Sequence, residues 1–146
     1  MRALGIDVGS KTIGVAVSDE DGVIATACEV LPRRGQDDDA AAIAARVRDR
    51  AVGHVVVGLP LELDGREGRR ARTVRAFVDV LARVLERADD PVEIVAWDER
   101  FSTASAERTM IEADASRAER KRNIDAVAAQ FILQGWLDSR RTGDRS

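Results

Sequence analysis

The N-terminal segment alternates apolar with small or polar side chains at a period of two, and this pattern narrows the possible folds more than any other feature of the chain. Leu4, Ile6 and Val8 interleave with Gly5, Asp7 and Gly9. Gly9-Ser10-Lys11 breaks the run, and Ile13 to Ser18 resumes it, so the two segments predict a β-hairpin. Asp19 to Gly22 turns again into a third strand, Val23 to Val30. From there the period lengthens. Asp37 to Arg50 is rich in Ala and Arg, with Ile43 and Val47 four apart, and reads as a helix. His54 to Gly58 is a short buried strand ended by Leu59-Pro60. Val74, Phe77, Val78, Leu81, Val84 and Leu85 form a helical stripe, which Asp89-Asp90-Pro91 ends. Val92 to Trp97 predicts a fifth strand, and a short helix is expected from about Ser102 to Glu112. Ser116 and Glu119 form a capping box for a last helix carrying Ile124, Val127, Ala128, Phe131 and Ile132.

The order β-β-β-α-β-α-β-α-α predicts an α/β protein. Three strands in an antiparallel meander, then two reached through helices, make a mixed five-stranded sheet with helices on both faces. That is the order of the ribonuclease H-like fold. With 146 residues the chain has room for one domain, expected over 1–138, followed by a flexible C-terminal tail at 139–146. Hydrophobic residues make up 45% and charged residues 34%, the balance of a globular protein in water. The longest uncharged run of the second half, Ala126 to Leu137, is too short to cross a bilayer, and no apolar leader follows Met1. A single cysteine, Cys28, excludes an internal disulfide framework and a thiolate zinc cluster. A cytoplasmic protein without a membrane partner is expected. Cys28, His54, Trp97 and Trp136 read as structural residues.

The net charge of −3 would argue against a nucleic-acid partner if the signs were mixed, but they are segregated. Between Arg66 and Arg87 seven arginines face only Glu67, Asp79 and Glu86. Arg117, Arg120, Lys121 and Arg122 form a second cluster against Glu119, while acid collects elsewhere, as at Asp37-Asp38-Asp39. Arginine forks onto phosphate oxygens. Five aromatic residues and no Tyr leave little for a base-stacking platform, so recognition should rest on shape and phosphate.

Three carboxylates stand out. Asp7 shares a strand face with Gly5 and Gly9, and the facing strand offers Gly14, Ala16 and Ser18, all too small to cover it. Asp98-Glu99-Arg100 follows the fifth strand directly, where open α/β sheets bind ligands. Asp125 lies in the first turns of the last helix, beside its apolar stripe. In the expected topology these meet at one edge of the sheet, where they repel unless a divalent cation holds them. Oxygen donors without Cys or a second His point to Mg²⁺ or Mn²⁺ rather than zinc.

Four segments carry a resemblance. The run from Leu4 to Asp19 (LGIDVGSKTIGVAVSD) resembles the opening motif of the YqgF family of ribonuclease H-like nucleases, also called RuvX. Val56 to Gly65 (VVGLPLELDG), Asp98 to Thr103 (DERFST), and Ile124 to Ala129 (IDAVAA) with Ile132-Leu133 and Trp136-Leu137 resemble its second, third and fourth motifs. The motifs run in order over nearly the whole chain; Phe101 replaces a usual Leu and Trp136 a common Tyr. The resemblance implies that Asp7, Glu99 and Asp125 are catalytic and bind metal. It also implies an endonuclease acting on structured nucleic acid, at the 5′ end of precursor 16S ribosomal RNA or at Holliday junctions in branched DNA, with a pre-ribosomal particle as a further partner. Hydrolysis would use two metal ions, with Asp7 bridging them. Whether Asp98 also binds metal stays open, as does the choice between monomer and homodimer. Lys11 and Arg100 flank the acids, and Arg66, Arg69, Arg70, Arg72 and Lys121 are the expected nucleic-acid contacts. Two rivals come from other classes. An actin-like ATPase would need a second lobe that 146 residues do not provide, and a non-catalytic nucleic-acid or ribosome-binding module would not need all three acids.

Overall fold

The computed structural model describes residues 1–62, 64–88, 91–98 and 117–144, with the side chains of 117–125 and 141–144 excepted. Strands β1 (Arg2–Val8), β2 (Thr12–Ser18) and β3 (Ala25–Pro32) lead into helix α1 (Gln36–Asp49). Strand β4 (Val52–Leu59), helix α2 (Arg69–Arg87), strand β5 (Glu93–Asp98) and helix α3 (Arg117–Asp144) follow. The strands form one sheet in the order β3-β2-β1-β4-β5. The β1–β2 and β2–β3 pairs are antiparallel, whereas β4 joins β1, and β5 joins β4, in parallel. This is the mixed sheet expected from the element order. The short helix expected over Ser102 to Glu112, and Ser116 of the capping box, lie outside the described residues.

Alternation along each strand divides the core in two. One face carries Leu4, Ile6, Val8, Ile13, Val15, Val55 and Val57 against α1 and α2, which contribute Ile43, Val47, Phe77 and Leu81. The other carries Ala3, Ala16, Ala25 and Val56 against Ala129, Ile132, Leu133 and Trp136 of α3. The small side chains of this second face let the helix come close. At Gly5 it comes so close that a Cβ would lie 2.7 Å from Leu133 Cβ and 2.8 Å from the Ala129 carbonyl oxygen.

Among the boundaries that differ from the sequence expectation, two have a clear local reason. β3 starts at Ala25 rather than Val23 because the turn before it holds those backbone donors: Asp19 Oδ1 accepts from Val23 N at 2.8 Å and Ile24 N at 3.0 Å. Gln134 of α3 then clamps the turn, accepting from Ala25 N at 2.8 Å and donating to Val23 O at 2.9 Å. α3 continues to Asp144, so residues 139–144, expected in the tail, extend the helix. No Pro or Gly stands between Gly135 and Gly143, Ser139 Oγ donates to Trp136 O at 2.8 Å, and the Arg140 guanidinium lies 4.8 Å from the Trp136 ring centre. Among the described residues no helix is long and apolar enough to cross a membrane.

Two outcomes are expected from these contacts. Gly5→Ala forces α3 off the sheet and should cost the ~1–3 kcal/mol typical of overpacking, measured by urea unfolding. The Asp19 carboxylate is held below its ordinary value of 3.8, chiefly by the Ile24 and then the Val23 backbone N–H. A lowered folded-state value means that this turn adds stability above about pH 3.8 and loses it as the pH falls further. Acid unfolding of Asp19→Asn should therefore diverge from the parent above that pH and converge with it below.

Candidate active site

The carboxyl ends of β1, β4 and β5 point to one edge, because these strands run in parallel. Antiparallel β2 begins there and β3 ends there, so the β1–β2 turn and the loop before α1 open on the same edge. Asp7, partly buried, is the penultimate residue of β1 and stands opposite Gly14 of β2. The turn after it is closed by Gly9 N donating to Thr12 O at 2.8 Å, and Lys11 is exposed at its tip.

Helix α3 brings the second acid to this edge. Its residues Trp136 and Leu137 line a 250 Å³ cavity with Ala3, while Ala129 and Leu133 lie on Gly5, so α3 runs antiparallel to β1. Two strand residues, about 6.6 Å, separate Gly5 from Asp7. Four helix residues, about 6 Å, separate residue 125 from residue 129. The turn carrying residue 125 is therefore the one that extends toward the Asp7 end of the strand. Its side chain, like that of Lys121, is outside the description, and Glu99 and Arg100 are outside it altogether.

Asp98 is described, and its place in the pleat bears on its role. Gly58 pairs with Trp97 and Leu59 with Asp98. Trp97 packs on the α3 face, where its indole nitrogen would be 3.2 Å from a Cβ on Gly135. Alternation then assigns Asp98 to the α1–α2 face, opposite to Asp7. Among the described residues no three His, Cys, Asp or Glu side chains gather as a metal site, a set that excludes Glu99 and the Asp125 side chain.

The basic stretch divides on inspection. Arg66 is paired, its Nε 2.6 Å from Asp64 Oδ2, and Arg75 is bonded to Glu67. Arg69, Arg70 and Arg72 are exposed, with no carboxylate within 4.0 Å among the described residues. They occupy the first turn of α2, which has no acidic residue and no side-chain cap. Cations at the positive end of a helix dipole oppose it, so this turn concentrates positive potential instead of neutralising it. Because α2 follows β4, that potential lies at the edge where Asp7 is found.

Sequence reasoning missed Arg33 and Asp39. Asp39, read as part of an acidic run, is only 4% exposed and holds the Arg33 guanidinium, Nε to Oδ2 2.7 Å. Arg33 Nη1 also donates to the Gly9 carbonyl at 2.6 Å. No local signal distinguishes Asp39 from Asp37 and Asp38 except that position 39 precedes the buried Ala40 and Ile43 by one and four residues. His54, expected to be structural, lies at the other edge, its Nε2 3.3 Å from Glu93 and its ring 5.1 Å from that of Trp136. Cys28 packs at the rim of the core with its Sγ accepting from Arg50 Nη2 at 3.2 Å.

Comparison with known proteins places this geometry. The profile of the family described as "RuvX: Holliday junction resolvase" matches residues 1–139. A protein of Myxococcus xanthus named "Putative pre-16S rRNA nuclease" is 51% identical over 144 residues, covering 99% of this chain and 92% of its own. One of the same name from Symbiobacterium thermophilum is 50% identical over 140 residues, covering 96% and 94%. Among solved structures, the fowlpox virus Holliday junction resolvase aligns with a TM-score of 0.57 at 11% identity, covering 95% of this chain and 99% of that one. Thermus thermophilus RuvC in complex with a Holliday junction aligns at 0.53 and 16% identity, covering 97% and 96%. At such identities these two show the fold alone, which is the ribonuclease H-like α/β fold. The family match over nearly the full length, with Asp7 at the carboxyl edge of the central strand, establishes that this chain belongs to the RuvX family.

Proposed function

We propose that this protein is a divalent-metal-dependent endonuclease that hydrolyses phosphodiester bonds of structured nucleic acid, with the 5′ end of precursor 16S ribosomal RNA as its substrate. One observation carries the chemistry: Asp7 stands at the carboxyl edge of the central strand, toward which the α3 turn bearing residue 125 extends. The substrate is supported by the names of relatives at half identity over nearly the whole chain. A Holliday junction in branched DNA is the second reading, favoured by the family's own description. Cytoplasmic action on a pre-ribosomal particle follows from the first reading.

The donor chemistry fits Mg²⁺ or Mn²⁺. Asp7, Glu99 and Asp125 offer only carboxylate oxygen, while His54 and Cys28, the only histidine and cysteine of the chain, lie away from Asp7. A pair of such ions held there would supply an activated water and stabilise the charge on the leaving oxygen. The rest falls to the protein. Asp7, next to the end of the most central strand, would hold the ions together with Glu99 and Asp125. Lys11, exposed on the turn that follows, and Arg100 offset charge on the non-bridging phosphate oxygens. Arg69, Arg70 and Arg72 hold the backbone away from the reacting bond, and Arg66 and Lys121 are secondary contacts, Arg66 having Asp64 to satisfy it.

Cleavage of a precursor 16S leader hairpin and of a four-way DNA junction, side by side in Mg²⁺ and in Mn²⁺, tests the reading; inertness on both sinks it. Asp7→Asn should lower cleavage by more than the ~100-fold that loss of a supporting group costs at metal sites, with circular dichroism and substrate binding unchanged. Replacing Arg69, Arg70 and Arg72 together by Ala should weaken binding equally across sequences. The slope of log affinity against log salt, from fluorescence anisotropy, should shrink by roughly 0.7–0.9 per lost phosphate contact. An unchanged slope would move the contact to the Arg117–Arg122 cluster.

A further inference from the structure

We infer that Arg33 is a positioning residue for the Asp7 site, acting through the Gly9 carbonyl with Asp39 as its counterion; this rests on the nuclease reading above. Three chain segments meet at this one guanidinium. From the loop between β3 and α1, its Nη1 donates to Gly9 O at 2.6 Å, and its Nε donates to Asp39 Oδ2 in the first turn of α1 at 2.7 Å. Asp39 is itself fixed, since its Oδ1 accepts from Arg34 N at 2.9 Å and its own N–H donates to Gly35 O at 2.9 Å. Arg33 N donates to Lys11 O at 2.9 Å, so side chain and backbone grip both sides of the β1–β2 turn. The guanidinium also lies 6.0 Å from the Phe77 ring centre, which roots it in the α2 core.

The cost of this arrangement points to its use. Arg33 is 19% exposed and Asp39 only 4%, and a pair buried so far is seldom more stable than apolar residues of similar volume. Had stability been the only demand, an apolar contact at this joint would serve. What an apolar contact cannot do is hold the Gly9 carbonyl at one point, two residues after Asp7 and two before Lys11. A second arginine–carboxylate pair on α1, Arg46 with Glu29, makes a natural comparison. It ties α1 to the middle of β3, opposite Val15, and touches neither the turn nor the edge that carries Asp7.

The test compares Arg33→Met, Arg33→Lys, the paired replacement Arg33→Met with Asp39→Leu, and Arg46→Met as control. In the single Met variant Asp39 is left buried without its partner and the fold can suffer, whereas the paired replacement removes both charges and should melt close to the parent. Both should lose about tenfold to a hundredfold in kcat with KM within about twofold, because the residue aims the site without touching substrate. Lys, whose three donors sit on one nitrogen and cannot copy the spacing of Nε and Nη1, should restore part of the loss, and Arg46→Met should leave kcat unchanged. Amide exchange at Gly9 and Thr12 should quicken in both Met variants and not in the control. A paired variant that folds and turns over at the parent rate overturns the inference. If the parent protein cleaves neither substrate, the nuclease reading falls by itself, and the exchange data still decide whether Arg33 sets the turn: unchanged exchange overturns that too.

Discussion

Helix α3 rests on β1 at a position where no side chain fits. Gly5 meets the Ala129 carbonyl and Leu133 Cβ directly, and Ala3, Ala16 and Ala25 keep the rest of that face shallow. The register of the helix on the sheet is thereby set by backbone contact rather than by interdigitated side chains, which leaves little room for sliding. Gln130 and Gln134 add hydrogen bonds to the start of β3 and the turn before it. Everything at the carboxyl edge inherits this registration, since the helix that carries residue 125 and the strand that carries Asp7 pack directly on each other.

The opposite face is built differently. Leu4, Ile6, Val8, Val55 and Val57 interleave with Phe77, Leu81, Ile43 and Val47, as a large-residue core does. Among the described residues its fully buried charge is Asp39, held by Arg33 at the rim. The sheet thus carries a thick apolar layer that supplies most of the burial, and a thin one that brings backbone close to the functional edge. The pleat assigns Asp7 to the thin side and Asp98 to the thick one, a distinction invisible in the acidity of the two residues.

Charge follows the same geography. Arg46, Arg66 and Arg75 are fixed by nearby acids, while Arg69, Arg70 and Arg72 at the start of α2 have no such partner among the described residues. Lys11 and these three arginines put positive charge at the edge that carries Asp7, although the chain as a whole has a net charge of −3.

The sequence alone determined the element order and the β1–β2–β3 meander, since a period of two with short turns admits few arrangements, whereas the place of β4 beside β1 was decided by the fold. It also marked Asp7, because an acid between glycines in an otherwise apolar strand has no packing role. The limits of β3 and α3 were not legible, for they depend on Asp19 and Gln134 taking backbone donors and on Arg140 covering Trp136, contacts made across the fold. Nor was the burial of Asp39: three consecutive acids look alike in sequence, and only the placement of α1 against β4 and α2 turned one of them inward to meet Arg33. Local pattern is set by each residue's own chemistry and spacing; which of several equivalent charges becomes structural is set by what the folded chain brings next to it.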